Sequence, residues 1–255
     1  MLWNASSLTG YTISTTDGEI GAVDDLLFDD QDWTIRWLVV DTGSWLSGRK
    51  VLLPPAACAE PVPATRLLNV GISRQKVKDS PAIDTDAPVS RVQENDVFGH
   101  YGWQPYWFGP PYAAAAGMLA PIPAGDPVGS PGSGGSGVPG AASRGDPHLR
   151  SVAEVTGYYI HASDGDIGHV EDFLLDAETW ALRYVVVDTK NWWPGKQTLV
   201  SPKSFRAVSW DERVVTTDLT RDRIRNAPEY DPAQTVDRAY EERFHDYYGY
   251  AGYWV

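Results

Sequence analysis

The sequence predicts an all-β protein made of two small β-barrels in tandem, each with a short helix, joined by a flexible linker. Three observations predict this fold: an internal repeat, short strand-forming segments separated by turns in each copy, and a stretch rich in glycine and proline between the copies. Of the 255 residues, 42% are hydrophobic and 22% are charged. This composition suits two globular domains of about 100 residues each.

The repeat keeps one register along the chain. Residues 8–42 align without a gap with residues 155–189, an offset of 147 positions. The same offset places YGWQPYW at 101–107 over YGYAGYW at 248–254. The alignment therefore predicts a tandem duplication of one domain. The two predicted domains, each with an aromatic tail, are residues 1–107 and 148–255.

Short strands rich in valine, isoleucine, leucine and aromatic residues are predicted in each copy. In the first copy they cover residues 11–14, 20–28, 34–40, 50–53 and 65–70. The Asp17-Gly18 pair predicts a two-residue hairpin loop in which both residues have positive φ. Ser73 is predicted to cap a short helix over residues 73–78, which ends before Pro81. Five or six short strands favour a barrel, because closure removes exposed sheet edges.

Residues 108–147 between the copies are dominated by glycine, proline, alanine and serine. Such a stretch cannot bury enough apolar area to offset the entropy lost on ordering, so it is predicted to be a disordered linker. A tether of this kind allows the domains to separate, or to dock as an intramolecular pseudo-dimer. The sequence leaves both arrangements open, together with a homo-oligomer.

The charge and the cysteine content exclude several classes of protein. A net charge of -13 and a pI near 4.7 repel a phosphate backbone, so nucleic acid is an unlikely partner. Cys58 is the single cysteine, which excludes an internal disulfide and a thiolate metal cage. No run approaches the roughly 18 apolar residues of a membrane helix, and the first ten residues lack a basic leader. We therefore expect a cytoplasmic protein without a membrane span.

Catalytic residues are not predicted, so the protein is not expected to be an enzyme. Of the five histidines, His148 lies at the edge of the linker, and the other four, His100, His161, His169 and His245, each align with a different residue type in the other copy. A catalytic site needs a group of cooperating residues, and we expect such a group in both copies. A histidine without these partners is more often a surface or packing residue than a catalytic one. Cys58 aligns with Phe205, which favours an apolar packing role over a reactive thiol.

The acidic residues in and around the strands predicted at 20–28 and 34–40, with their counterparts in the second copy, are candidate oxygen ligands for a hard cation. They are Asp24, Asp25, Asp29, Asp30 and Asp32 in the first copy, and Glu171, Asp172, Asp176 and Glu178 in the second. Their spacing does not match a calcium loop, and strand alternation sends neighbours to opposite faces. Turn and solvent-facing roles are predicted instead, with no metal and no cofactor. Structural salt bridges with neighbouring residues at the barrel rim are predicted for four repeated residues, Arg36, Asp41, Arg183 and Asp188.

Aromatic tails follow both predicted barrels and supply the candidate partner-binding residues. These are Tyr101, Trp103, Tyr106, Trp107, Tyr248, Tyr250, Tyr253 and Trp254. One interpretation is that each tail folds back onto its own barrel or onto that of the other copy. A second assigns the rings to a partner surface, because tyrosine and tryptophan dominate interface hot spots. A third is stacking on sugars or bases.

Three segments of the first copy, DGEIGAVDDLLFD, WTIRWLVVDT and SRQKVKDSP, have counterparts in the second. With these segments each copy resembles a PRC-barrel domain, over about residues 7–84 and 154–231. The family includes the barrel of the photosynthetic reaction-centre H subunit and the C-terminal domain of a ribosome maturation factor. The resemblance implies a barrel fold without one shared activity, and a link to photosynthetic complexes.

The sequence favours a non-enzymatic protein-interaction or assembly module. Strand, turn and aromatic positions are retained between the copies, while histidine and cysteine positions differ. This pattern is expected when a duplication preserves the fold and its surface but has no reaction centre to preserve. We therefore expect protein partners. The alternative is a module that binds a small ligand or a carbohydrate through the aromatic tails and the mouth of the barrel.

Overall fold

The structure is a computed structural model that describes residues 1–83, 89–108, 146, 148–189 and 197–254. Apart from Phe108 and Asp146, the predicted linker over residues 108–147 lies outside these described residues. Among the described helices, none is long and apolar enough to cross a membrane.

Strands account for most of the regular structure in both repeats. Those of the first repeat are β1 (Leu2–Asn4), β2 (Thr12–Thr15), β3 (Gly18–Asp29), β4 (Thr34–Asp41), β5 (Lys50–Leu53) and β6 (Leu67–Asn69). Those of the second are β7 (Leu149–Ser151), β8 (Tyr159–Ala162), β9 (Gly165–Asp176), β10 (Leu182–Asp188), β11 (Gln197–Val200), β12 (Phe205–Ser209) and β13 (Val214–Thr217). The helices are α1 (Arg74–Lys78), α2 (Arg91–Tyr101), α3 (Val152–Val155), α4 (Arg221–Arg225) and α5 (Arg238–Tyr248).

The predicted fold class is confirmed, since the described residues form two sheets with few helices. The strands predicted at residues 20–28 and 34–40 are β3 and β4, which pair as a hairpin, and the predicted short helix is α1. The side chain of Ser73 caps α1 by accepting a hydrogen bond from the backbone N–H of Lys76, at 3.3 Å. The structure adds β1, β7 and the two longer helices α2 and α5, which the strand pattern did not indicate.

The two sheets share one topology. The first has the strand order β5-β4-β3-β2-β6, with β7 paired to β3, and the second has the order β11-β10-β9-β8-β13-β12, with β1 paired to β9. Antiparallel hairpins dominate both sheets, and each also contains one parallel pair, β2 with β6 and β8 with β13. Within the described residues the end strands do not pair, so each sheet is an open path and not a closed barrel.

A repeated glycine in the long strand of each hairpin permits a close approach of two backbones. Gly21 has φ of +140°, and a Cβ placed on it would lie 2.0 Å from the carbonyl oxygen of Asp41. Gly168 has φ of +141°, and the same 2.0 Å separates its Cβ position from the carbonyl oxygen of Asp188. Only glycine suits both conditions, because it lacks a Cβ and tolerates positive φ.

The Asp-Gly turn differs from the prediction. Thr15 pairs with Gly18, so the loop residues are Thr16 and Asp17, and only Gly18 among these four residues has positive φ, at 138°. The prediction of positive φ at both Asp17 and Gly18 was therefore wrong. The Asp17 carboxylate is held by a tertiary contact, because it accepts a hydrogen bond of 2.6 Å from the backbone N–H of Arg74 at the start of α1. This hydrogen bond lowers the pKa of Asp17.

The chain divides into two compact units whose bounds differ from those of the repeats. Unit 1 comprises Met1–Thr9, Asp25–Ile35 and Arg150–Val255, and unit 2 comprises Gly10–Asp24 and Arg36–Leu149. Unit 1 therefore combines most of the second repeat with two pieces of the first. That residues 1–107 and 148–255 fold independently stays a prediction.

Backbone pairing explains the composition of unit 1. β1 pairs antiparallel with the end of β9. The tips of the two long hairpins also meet, because Ile35 N–H donates to the Trp180 carbonyl at 2.8 Å and Leu182 N–H donates to the Trp33 carbonyl at 2.7 Å. These hydrogen bonds join the tip of the first hairpin to the second hairpin within unit 1.

An aromatic cluster buries the same hairpin tips. The rings of Phe28 and Phe173 lie 5.6 Å apart, and Trp33 lies 5.2 Å from Phe28 and 5.2 Å from Phe205. Phe28 and Phe173 have no exposed surface. Tilted rings at such distances add to the burial of apolar area, so this cluster is a core feature built from both repeats.

Candidate functional site

Both repeats carry the same four residues around one buried glutamate, at the offset of 147 positions. We call these groups the first and second glutamate clusters. The first comprises Arg36, Arg91, Glu94, Tyr106 and Trp107, and the second comprises Arg183, Arg238, Glu241, Tyr253 and Trp254.

Helix α2 and the turn after it bring the first cluster together. Arg91 and Glu94 lie three residues apart and so share one face of the helix. Ser90 starts the helix with a capping box, and Gly102, with φ of 75°, ends it. A left-handed glycine at this position turns the chain back, which returns Tyr106 to the start of α2. In the second repeat Asp237 caps α5 and Gly249 ends it, also with φ of 75°.

Glu94 is the centre of the first cluster and has no exposed surface. Its Oε1 accepts hydrogen bonds from Trp37 Nε1 at 2.7 Å and from the Tyr106 hydroxyl at 3.0 Å. The guanidinium of Arg91 lies 3.7 Å from its Oε2. Burial raises the pKa of Glu94, although these donors act in the opposite direction. The guanidinium of Arg36 covers the ring of Tyr106 at 4.1 Å.

Glu241 occupies the same place in the second cluster and is 4% exposed. It accepts hydrogen bonds from the hydroxyls of Tyr184 and Tyr253. Arg238 Nη1 lies 3.2 Å from its Oε2. Arg183 lies over the ring of Tyr253 at 3.8 Å. Each glutamate therefore joins its helix to the sheet through residue 37 or 184 and to its tail through residue 106 or 253.

The clusters differ in what lies beside the helix start. At the first cluster, Asp146 of the predicted linker is 4% exposed and its Oδ2 lies 2.6 Å from Arg91 Nη2. In the second repeat a cavity of about 370 Å³ adjoins Arg238, lined also by Tyr253, Trp254 and Val236. Asp176, Glu178, Thr179 and Arg183 also line it.

The predicted partner-binding aromatics fall into two groups. Tyr101 and Tyr248 are 4% and 6% exposed, so they belong to the core and do not form a surface. Trp103 stacks on Tyr101 at 4.4 Å and Tyr250 stacks on Tyr248 at 5.5 Å. The remaining four, Tyr106, Trp107, Tyr253 and Trp254, surround the glutamate clusters. Each tail thus contacts the helix of its own repeat, and a role of these rings in partner binding stays a prediction.

The histidines occupy varied environments. His245 is 4% exposed, with Nε2 3.0 Å from the Tyr184 hydroxyl and Nδ1 3.1 Å from the Ala251 carbonyl oxygen. Burial lowers its pKa. Because it replaces Phe98 of the first repeat, His245 has a packing role. His161, in contrast, is exposed and lies 2.6 Å from Asp166.

One group among the described residues has the spacing of a metal site. His169 Nε2 lies 3.8 Å from a carboxylate oxygen of Glu171 and 3.8 Å from one of Asp188. The first repeat has Ala22 in place of the histidine, and there Lys50 forms an ion pair of 2.9 Å with Asp24.

The predicted turn role is confirmed for Asp29 and Asp32, whereas Asp172 and Asp176 are each 8% exposed, so a solvent-facing role was wrong for these two. Asp29 and Asp32 accept backbone hydrogen bonds from residues two positions later in the hairpin turn. Asp30 forms an ion pair of 2.9 Å with Arg150. Arg183, for which a structural salt bridge with a neighbour is predicted, pairs with Asp176 at 2.8 Å.

Cys58 is held against the chain near Pro54, with its Sγ 3.7 Å from the Pro54 carbonyl oxygen. Burial raises the pKa of its thiol to about 12. A thiol with this pKa is not ionised near neutral pH, and the thiolate is the nucleophilic form. The environment therefore fits the predicted packing role.

The strands, the glycine close approach and the helix cap recur in both repeats. The match to a known protein family lies in the first repeat. Residues 4–67 match the family model of the PRC-barrel domain. This stretch runs from the last residue of β1, through β2 to β5, to the first residue of β6. A protein of Deinococcus radiodurans, described as uncharacterized, is 33% identical over 97 residues. The alignment spans 38% of this chain and 33% of that protein.

Sequence reasoning missed the residues at the centre of each cluster, Glu94 and Glu241, and their partners Arg91 and Arg238. The signal was present, because RVQE at 91–94 lies over RAYE at 238–241 in the repeat alignment. Identical charged residues in a segment that otherwise differs indicate a shared tertiary contact, but the alignment alone does not show what they contact.

Proposed function

We propose that this protein is a non-enzymatic interaction module that binds its partner at the second glutamate cluster. The observation that carries the proposal is the retention of five identical side chains in two repeats, of which the second set borders a cavity. In each cluster the carboxylate is engaged by three surrounding side chains. Such a carboxylate positions its neighbours, as expected of a binding site.

The rings of the second cluster support partner binding. Arg238 stacks on Trp254 at 4.0 Å, and Arg183 stacks on Tyr253 at 3.8 Å. Arginine, tyrosine and tryptophan are the residue types enriched in interface hot spots. Each ring is partly exposed, and the stacked guanidinium restricts its movement, which reduces the entropy lost on binding.

The proposal is tested by capture with matched variants. The immobilised chain is incubated with an extract of its native host, and each retained protein is then purified and its binary affinity measured. We expect Trp254→Ala to lower that affinity at least about tenfold, and Trp107→Ala, the matched change in the first repeat, to leave it unchanged. A partner bound equally by both variants would place the interaction elsewhere, and the absence of any purified binding partner would contradict the proposal.

A small ligand is the second candidate function, and the cavity favours it. A volume of about 370 Å³ lies in the range of sites for small molecules. Native mass spectrometry of the purified chain would reveal a retained molecule. We expect such a molecule to be lost in Trp254→Ala and kept in Trp107→Ala, and retention in both variants would exclude the cavity as its site.

A further inference from the structure

The first repeat shows how a glutamate cluster binds an acidic residue. Asp146 Oδ2 lies 2.6 Å from Arg91 Nη2, and the Asp146 N–H donates to the Val89 carbonyl oxygen at 2.8 Å. Asp146 Oδ1 accepts a hydrogen bond of 3.0 Å from His148 N–H, which orients the carboxylate. Residues at the start of α2 therefore contact both the side chain and the backbone of this aspartate.

The second repeat has the same two contact residues. The counterparts of Val89 and Arg91 are Val236 and Arg238, and both line the cavity of about 370 Å³. Arg238 has 48% of its side chain exposed, close to the 42% of Arg91. The cavity is thus bordered by the pair of groups that holds Asp146 in the first repeat.

We propose that this cavity binds an aspartate side chain of an acidic peptide, with Arg238 receiving the carboxylate and the Val236 carbonyl receiving a backbone N–H. The inference rests on the proposed function and specifies the chemistry of its partner. A guanidinium has five N–H donors in a planar fork, so Arg238 can bind a second carboxylate while it contacts Glu241. Charge-assisted hydrogen bonds of this kind are among the strongest in proteins.

The charges around the cavity are compatible with an added carboxylate. Asp176 is paired with Arg183 at 2.8 Å. In the first repeat Arg91 lies near both Glu94 and Asp146, so one cluster accommodates two carboxylates. Glu178 is the acidic lining residue that has a neutral counterpart, Gln31, in the first repeat. It weakens the attraction for an anion and offers a variant that should improve binding.

The experiment measures binding of a peptide with the sequence of residues 145–149, Gly-Asp-Pro-His-Leu, blocked at both ends. The chain is used without tags, because Met1 and Trp254 both line the cavity. We expect one peptide per chain, binding that weakens with added salt, and at least about tenfold weaker binding of the peptide with asparagine in place of aspartate.

Variants locate the site. Arg238→Gln should weaken peptide binding at least about tenfold, whereas Arg91→Gln should leave it unchanged and Glu178→Gln should strengthen it. Circular dichroism and the melting temperature check that each variant is folded. The gain expected for Glu178→Gln cannot arise from unfolding, so it keeps the proposal falsifiable if Arg238→Gln is unstable.

Several results would overturn the inference. They are no binding to the wild type, equal binding of the aspartate and asparagine peptides, equal weakening by Arg91→Gln and Arg238→Gln, and binding of free acetate as tight as that of the peptide. If the peptide fails while a purified partner still depends on Trp254, the carboxylate inference is wrong and the proposed function stands. If both fail, the second cluster is not a binding site.

Discussion

A buried glutamate joins helix, sheet and tail in each repeat. Glu94 receives hydrogen bonds from Trp37 and Tyr106, and Glu241 receives them from Tyr184 and Tyr253. A buried carboxylate without such donors would be strongly destabilising. The donor on the sheet and the donor on the tail therefore have to be in place together. This requirement explains why both repeats have a hydrogen-bond donor at both positions.

The stability of the chain should depend on the protonation of Glu94. Burial raises its folded-state pKa above the value of 4.5 expected for an unfolded chain, so the folded chain binds this proton more tightly. The stabilising contribution of the proton is present below about pH 4.5 and is lost as the pH rises through the folded-state pKa. Glu94→Gln removes this titration, and its melting temperature should fall less than that of the wild type as the pH rises above about 4.5.

The control for this prediction is Glu60→Gln, a change at an exposed residue, which should keep the wild-type dependence on pH. Parallel curves of melting temperature against pH for the wild type and Glu94→Gln would show that Glu94 does not titrate in the way expected.

Gly21→Ala should be strongly destabilising. The added Cβ would lie 2.0 Å from the Asp41 carbonyl oxygen at a φ of +140°, and clash and strain together cost about 3 kcal/mol. Chemical denaturation gives the free energy of unfolding. Gly71→Ala, where no atom lies within 4 Å of the added Cβ, is the matched control and should change it little. Similar values for the two variants would mean that the strands separate easily at Gly21.

At the scale of elements, α2 and α5 account for the aromatic tails. Phe98 packs against Trp37 at 4.7 Å, and Phe244 packs against Tyr184 at 5.0 Å. Each helix therefore covers one face of its sheet, and the residues after the left-handed glycine return over the same helix. Each tail thus extends the helix that packs on the sheet. Some of its aromatic rings are therefore buried and others are partly exposed.

Two rings of the second tail should behave differently on truncation. Tyr248 is 6% exposed and belongs to the core beside Phe244, so Tyr248→Ala should lower the free energy of unfolding by about 3 kcal/mol. Trp254 is partly exposed and stacks on Arg238, so Trp254→Ala should cost less than about 1 kcal/mol. Both values come from urea denaturation. A larger loss for Trp254→Ala would assign that ring to the core.

At the scale of the molecule, the two repeats are not two separate compact units. Unit 1 contains Met1–Thr9 and Asp25–Ile35 of the first repeat together with Arg150–Val255. The pairing of β1 with β9 and the aromatic cluster around Phe28 and Phe173 hold these pieces together.

Cleavage between the repeats should therefore leave the fragments associated. A protease site inserted within residues 121–140 allows a defined cut, and we expect both fragments to elute together in size-exclusion chromatography. Phe28→Ala removes a fully buried ring, at a cost of about 3 to 5 kcal/mol, and should promote their separation after the cut. Fragments that elute apart without this substitution would show that each repeat folds and remains alone.

Much of the fold could be predicted from the sequence because its signals are local. The apolar segment 20–28 predicted most of β3, and Ser73 correctly marked the start of α1. The positive φ predicted for Asp17 was wrong because its carboxylate binds the backbone of Arg74, a contact 57 residues away. The tails supplied four residues of the two clusters, but Glu94 and Glu241 were missed because a buried carboxylate looks like any charged residue in a helix.

The sequence by itself determined the repeat, the strands and turns, and the identity of the residues available to each cluster, because periodicity, turn chemistry and alignment are properties of the chain. Only the tertiary structure decided which residues meet. It buried Tyr101 and Tyr248, placed Asp146 on Arg91, and left a cavity at Arg238. The physical reason is that burial and ion pairing depend on distances between segments far apart in the chain, which local preferences do not specify.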